Sequence, residues 1–103
     1  MPLDFWQINN DGVAIGTCVS MNIPAHIAFT RAARALQLAT ILRVQEYYDD
    51  LVFEVAELRD LSRELELVML YMTEHKHHSV VVSLHKLTAD CIAKSLRIEV
   101  IAD

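Results

Sequence analysis

The chain has 103 residues, of which 14 are acidic and 9 are basic, and its formal net charge is −5 at pH 7. This length suits a single domain spanning residues 1–103, and the acidic balance argues against nucleic-acid binding. No apolar run reaches the roughly 18–20 residues that cross a bilayer, and two cysteines are too few for a disulfide framework.

The apolar content is high for so short a chain. Hydrophobic residues make up 53% of it, and the mean hydropathy is +0.26. A domain of this size buries only about 60–65% of its unfolded surface. Part of the apolar surplus should therefore lie outside, which favours a homodimer. Residues 1–4 show no basic region before an apolar one, so we expect a cytoplasmic protein with reduced cysteines.

The first quarter of the chain reads as a β-hairpin. An apolar run at residues 5–8 is followed by Asn9-Asn10-Asp11-Gly12 and a second run at residues 13–20. Such a turn cluster between two apolar runs predicts two antiparallel strands. A short helix is the alternative for the second run, in which β-branched residues alternate with small ones.

Two long helices are predicted next, because residues 25–103 contain neither glycine nor proline. Pro24 suits the start of the first, which would extend to about residue 48 and be apolar nearly all round. Asp49 and Asp50 mark a weak break, so one bent helix over residues 25–74 remains an alternative. The second helix carries a heptad seam, formed by Leu51, Val55, Leu58, Ser62, Leu65, Met69 and Met72.

The end of the chain combines two patterns. Residues 80–95 place apolar side chains at helical spacing, whereas residues 96–100 alternate as a strand does. We expect a third helix to about Ser95 and then a short strand that pairs with the hairpin. The predicted fold is therefore mainly α: an antiparallel helical hairpin plus a third packed helix, with a small β element.

Acidic residues dominate the predicted second helix. At 100° per residue, five of them fall within about 120° of one helical face: Asp50, Glu54, Glu57, Asp60 and Glu64. Phe53 and Tyr71 project into the same arc and would be its apolar anchors. Such a face suits a basic partner, although simple solvation or internal pairing with Arg31, Arg34 and Arg43 is the alternative.

The histidines form the other polar concentration. His75, His77 and His78 lie within four residues, but their spacing matches no zinc pattern, so we interpret them as a solvated turn. Cys91 lies on an apolar stripe, where a thiol is inert. No glycine-rich phosphate loop or nucleophile motif occurs. We therefore expect no metal, no cofactor and no catalytic residues.

Small size, net negative charge and missing catalytic motifs favour a non-enzymatic binding protein. It would neutralise or regulate a basic protein partner, as an immunity protein, an antitoxin or a small inhibitor does. The predicted contact residues are Asp50, Phe53, Glu54, Glu57, Asp60, Glu64 and Tyr71. The alternative is a self-assembling helical homodimer that acts as a structural module or as a regulator responding to a ligand or metal.

Overall fold

The computed structural model describes residues 3–45 and 51–102. In chain order these residues form β1 (Leu3–Ile8), β2 (Ala14–Met21), α1 (Ile23–Ala35), α2 (Ala39–Leu42), a 3-10 turn (Arg43–Gln45), β3 (Leu51–Phe53), a second 3-10 turn (Val55–Glu57), α3 (Leu58–Tyr71), α4 (His78–Lys94) and β4 (Arg97–Ala102). The strands form one antiparallel sheet in the order β2-β1-β4-β3.

The sheet is a full structural layer, so the predicted fold of a helical hairpin with a third helix and a minor β element is wrong. Leu51–Phe53 is a strand paired with Ile98–Val100 and does not begin a helix. The first predicted helix also ends early, because Gln37 adopts a left-handed conformation with φ of 57° between α1 and α2. No hairpin of two long helices therefore exists over residues 24–45 and 51–74.

The predicted β-hairpin is confirmed. The Asn9 side-chain oxygen accepts hydrogen bonds from the backbone N–H groups of Asp11 and Val13, at 2.9 and 3.0 Å. This local bonding closes the turn, as asparagine commonly does. Strand β2 then bulges, because Cys18 lies opposite Trp6 while Ala14 lies opposite Ile8. Gly16, with φ of 72°, supplies the positive φ that the bulge needs.

The C-terminal prediction is confirmed as well. Helix α4 ends at Lys94, Ser95 caps it in a left-handed conformation with φ of 54°, and β4 begins at Arg97. β4 pairs with β1 along six residues, from Ile8↔Arg97 to Leu3↔Ala102. The two ends of the chain therefore form the two central strands of the sheet.

One hydrophobic core joins the sheet to the helices. Leu3 and Phe5 of β1 point into it, whereas Asp4 and Trp6 lie half-exposed on the opposite face of the sheet. Alternation of this kind is typical of an antiparallel sheet with one covered face. From α3 the core takes residues spaced three and four apart, namely Leu58, Leu61, Leu65, Val68 and Met72.

Within the described residues, no helix has both the length and the apolar character that crossing a membrane would require.

Candidate functional site

The structure distributes the predicted acidic face over several elements. Its residues no longer share one helix, because Glu54 precedes a 3-10 turn that ends at Glu57, while Asp60 and Glu64 belong to α3. The helical-wheel angles hold only along a continuous helix, so they do not apply before Leu58. Asp50 lies outside the described residues.

Glu64 is buried and has a structural role. Its Oε1 accepts a hydrogen bond from the backbone N–H of Ile41 at 2.9 Å, and Oε2 accepts one from that of Thr40 at 3.3 Å. Helix α2 follows Leu38, which has no side-chain cap of its own. A carboxylate from α3 therefore satisfies the free N–H groups at the start of α2.

The remaining carboxylates each have a neighbouring cation. Glu57 forms an ion pair with Arg43 and also accepts a hydrogen bond from the Glu54 backbone N–H at 3.0 Å. Asp60 Oδ1 lies 3.5 Å from Arg63 Nη2, and Glu54 Oε1 lies 3.9 Å from Arg97 Nη1. The pairing of Glu57 with Arg43 agrees with the alternative in which arginines of the same chain neutralise acidic residues, although both residues lie in 3-10 turns.

The two predicted apolar anchors have opposite environments. Phe53 is fully buried, with the Arg43 guanidinium 5.1 Å above its ring centre. It is therefore a core residue and cannot contact a partner. Tyr71 is 59% exposed at the C-terminal end of α3, where it borders a groove.

This groove is the candidate site. It lies between α1 and the segment that joins α3 to α4, and its volume is about 580 Å³. We call it the α1 groove. Its lining residues are Pro24, Ile27, Ala28, Arg31, Ala32, Tyr71, Met72, His75, Lys76 and His77.

Local sequence explains how each wall forms. Asn22 caps α1 by accepting a hydrogen bond from the Ala25 backbone N–H at 2.9 Å, and Pro24 lies in the first turn. Ile27 and Arg31 then follow at a spacing of four and share one side of α1. Opposite them, His75 accepts a hydrogen bond from the His77 backbone N–H at 3.1 Å, which fixes the turn.

The α1 groove is cationic although the chain is acidic. Its described lining includes Arg31 and Lys76 together with two histidines, and it contains no carboxylate. Within the described part of the chain, neither Arg31 nor Lys76 belongs to an ion pair. Desolvation by burial, followed by the charges of His75 and Lys76, lowers the pKa of His77. Because its pKa lies below the ordinary value of 6.5, His77 is neutral at neutral pH, and Arg31 and Lys76 carry permanent positive charge in the groove.

An exposed apolar patch continues from the groove along both helices. Leu67, Leu70 and Tyr71 share one face of α3 at spacings of three and four, and Leu70 is 75% exposed. On α1, Ile23 and Ile27 are also exposed and follow at a spacing of four. A contiguous apolar patch with charged residues at its edge is typical of an interaction surface.

The histidine turn contains no recognisable metal site. His75 and His77 stack with their ring centres 5.3 Å apart. Among the described residues, no group of three or more histidine, cysteine, aspartate or glutamate side chains is arranged to hold a metal ion.

Cys91 is fully buried in the core. Burial raises the pKa of its thiol to about 11, so the thiol stays protonated at neutral pH.

Tyr71 is the one residue of the groove lining that sequence patterns predict as a partner contact. Leu67 and Leu70 lie outside the predicted seam and could have been identified as exposed from their heptad positions. Sequence patterns do not reveal that Arg31 and Lys76 share the groove, because the two residues are 45 positions apart and meet only through tertiary packing.

Comparisons with protein-family models, with curated proteins and with solved structures found no match.

Proposed function

We propose that this chain is a non-enzymatic binding protein whose α1 groove takes an acidic, amphipathic segment of a protein partner. One observation carries the proposal: an exposed apolar patch opens into a groove that holds Arg31 and Lys76 without carboxylates among its described lining. Apolar side chains of the partner would enter the groove, and its acidic side chains would lie against the two cations.

The apolar part supplies most of the affinity. Tyr71 presents a large aromatic ring beside Leu70 and Ile27, and aromatic residues surrounded by apolar contacts are the usual hot spots of interfaces. An amphipathic helix laid in a groove uses anchors spaced three and four apart. The exposed residues of α3 have the matching spacing, so a helical segment suits this surface.

The cations supply orientation and selectivity. Arg31 and Lys76 would accelerate the encounter with an acidic segment and disfavour a basic one. The partner chemistry is therefore the reverse of that predicted from the acidic residues of the sequence. The prediction of a basic partner requires that these acidic residues share one exposed face. Four of them have partners within the chain instead, namely Glu54, Glu57, Asp60 and Glu64.

A peptide library displayed on phage tests the proposal without knowledge of the natural partner. The library is selected on the immobilised protein after removal of phage that bind an Arg31→Glu/Tyr71→Ala variant. We expect recovered peptides to combine aspartate or glutamate with large apolar residues at helical spacing. Both substituted side chains are exposed, so the variant should keep its fold, which circular dichroism checks.

A matched variant shows whether binding is local to the groove. Arg59 is exposed on α3 and lies 12 residues before Tyr71, roughly 18 Å along the helix. Peptide affinity, measured by fluorescence anisotropy, should fall at least about tenfold in Arg31→Glu and little in Arg59→Glu. Recovery of basic peptides, or equal losses in both variants, would contradict the proposal.

A further inference from the structure

The two edges of the sheet differ in how well they are protected. β3 has three described residues, and the Arg43 guanidinium donates a hydrogen bond to the carbonyl oxygen of Val52 at 3.5 Å. β2 has eight residues and pairs with β1 on one side only. Within the described part of the chain, no strand pairs with its other side.

β2 also lacks the residues that usually protect an exposed edge. Its sequence, Ala-Ile-Gly-Thr-Cys-Val-Ser-Met, contains no charge and no proline. In natural proteins, lysine, proline, bulges or a very short edge strand prevent one sheet edge from pairing with another. Only the bulge near Gly16 is present, and it leaves residues 18–21 in regular register with β1.

We infer that β2 is a self-association surface, which pairs antiparallel with β2 of a second copy to give a continuous eight-stranded sheet. A second copy suits this edge because an uncharged strand meets no like charge when it pairs with itself. The surface is separate from the α1 groove, so the inference stands whether or not the proposed groove function is correct.

The two-fold symmetry of such a dimer fixes the register. Opposed residues in an antiparallel pair point to the same face of the sheet, so residues of equal parity must pair. A centre at Val19 uses the regular part of the strand and keeps clear of Asn22, which caps α1. Val19 then lies opposite the partner's Val19, and Cys18 lies opposite the partner's Ser20.

Lysine substitution tests this register directly. Cys18 and Ser20 lie on the half-exposed face of β2, so Cys18→Lys/Ser20→Lys would place like charges opposite each other across the interface. Sedimentation velocity over a concentration series should show a dimer for the unchanged protein. The double variant should raise the dissociation constant by at least roughly tenfold.

Two matched variants separate this edge from other surfaces. Ile101→Lys adds a lysine to the same face of the sheet but on the central strand β4, and Leu70→Lys adds one to the apolar patch at the groove. Both should keep the dimer. A dimer lost only in Leu70→Lys, or a wild-type protein that stays monomeric up to its solubility limit, would overturn the inference.

A cross-link gives a second readout if the lysine variant fails to fold. Ser20→Cys places the new thiol opposite Cys18 of the other copy in the inferred register. Mild oxidation should then give a covalent dimer on a non-reducing gel, and the same change with Cys18→Ser should not. No covalent dimer for Ser20→Cys in a sample that sediments as a dimer would contradict the register.

Discussion

The two ends of helix α3 differ in what their charged neighbours do. Toward the N-terminal end, acidic residues are joined to the fold: Glu57, just before α3, pairs with Arg43, and Glu64, midway along α3, caps α2. At the C-terminal end, Arg31 and Lys76 line a groove, and neither forms an ion pair with any described residue. Charge that is paired within the fold is not available to a partner, so the end whose charges are unpaired is the better candidate for binding.

The largest expected effect is on stability at the N-terminal end. Glu64→Ala leaves the N–H groups of Thr40 and Ile41 without their acceptor, and losing charged hydrogen bonds to buried groups costs about 2 kcal/mol. Urea unfolding should show this loss. The exposed control Asp60→Ala should change the unfolding free energy by less than about 0.5 kcal/mol. Equal effects of the two substitutions would mean that Glu64 is an ordinary surface carboxylate.

The dependence of stability on pH between about 5.5 and 7.5 reports on the histidines, because carboxylates titrate at lower pH. Burial is the main cause that lowers the pKa of both His26 and His77. The unfolded chain therefore takes up protons first, near the ordinary value of 6.5, so stability is full above about pH 6.5 and falls as the pH drops toward the lowered native pKa values. The urea midpoint should be lower at about pH 5.5 than at about pH 7.5.

Single substitutions identify the histidine responsible. His26→Gln and His77→Gln should each reduce this pH dependence, because each removes one group that titrates differently in the two states. A midpoint that rises on acidification would contradict the direction of both pKa shifts.

The ion pair between Arg43 and Glu57 should contribute less to the free energy of unfolding than Glu64 does. Both side chains are more than a third exposed, so the coupling energy should be about 0.5 kcal/mol. A double-mutant cycle with Arg43→Met and Glu57→Gln measures it, and it isolates the pair from the contact of Arg43 with Phe53. A coupling near zero would show that Glu57 acts only through its hydrogen bond to Glu54.

The smallest effect on stability is expected at the groove. Leu70→Ser and Tyr71→Ser remove exposed side chains, so the unfolding free energy should change by less than about 0.5 kcal/mol. A loss near that of Glu64→Ala would place these side chains in the core and remove them from any interface.

Local patterns predicted some elements and not others. The hairpin follows from Asn9 and the runs beside it, and the end of α4 at Ser95 follows from a change of periodicity. Leu51–Phe53 fits a helical seam and a strand equally well, and only pairing with β4 decides between them. Three described strand residues are too few positions to show a period of their own.

The error at the acidic face has a related cause. A helical wheel gives the direction of a side chain but not what packs against it. Glu64 points toward the first turn of α2 and accepts a hydrogen bond from Ile41, which lies 23 residues earlier in the chain. The burial of Phe53 likewise depends on β4 and on Arg43, which are distant in sequence. Tertiary contacts of this kind cannot be read from spacing.

Charge reversal on both sides of the groove tests the proposed function most directly. A selected acidic peptide and a version with lysine at each acidic position are titrated calorimetrically into the protein and into Arg31→Glu/Lys76→Glu. We predict that the unchanged protein prefers the acidic peptide and that the variant prefers the basic one, while the apolar anchors are the same in both. An acidic preference that persists in the variant would contradict the role assigned to Arg31 and Lys76.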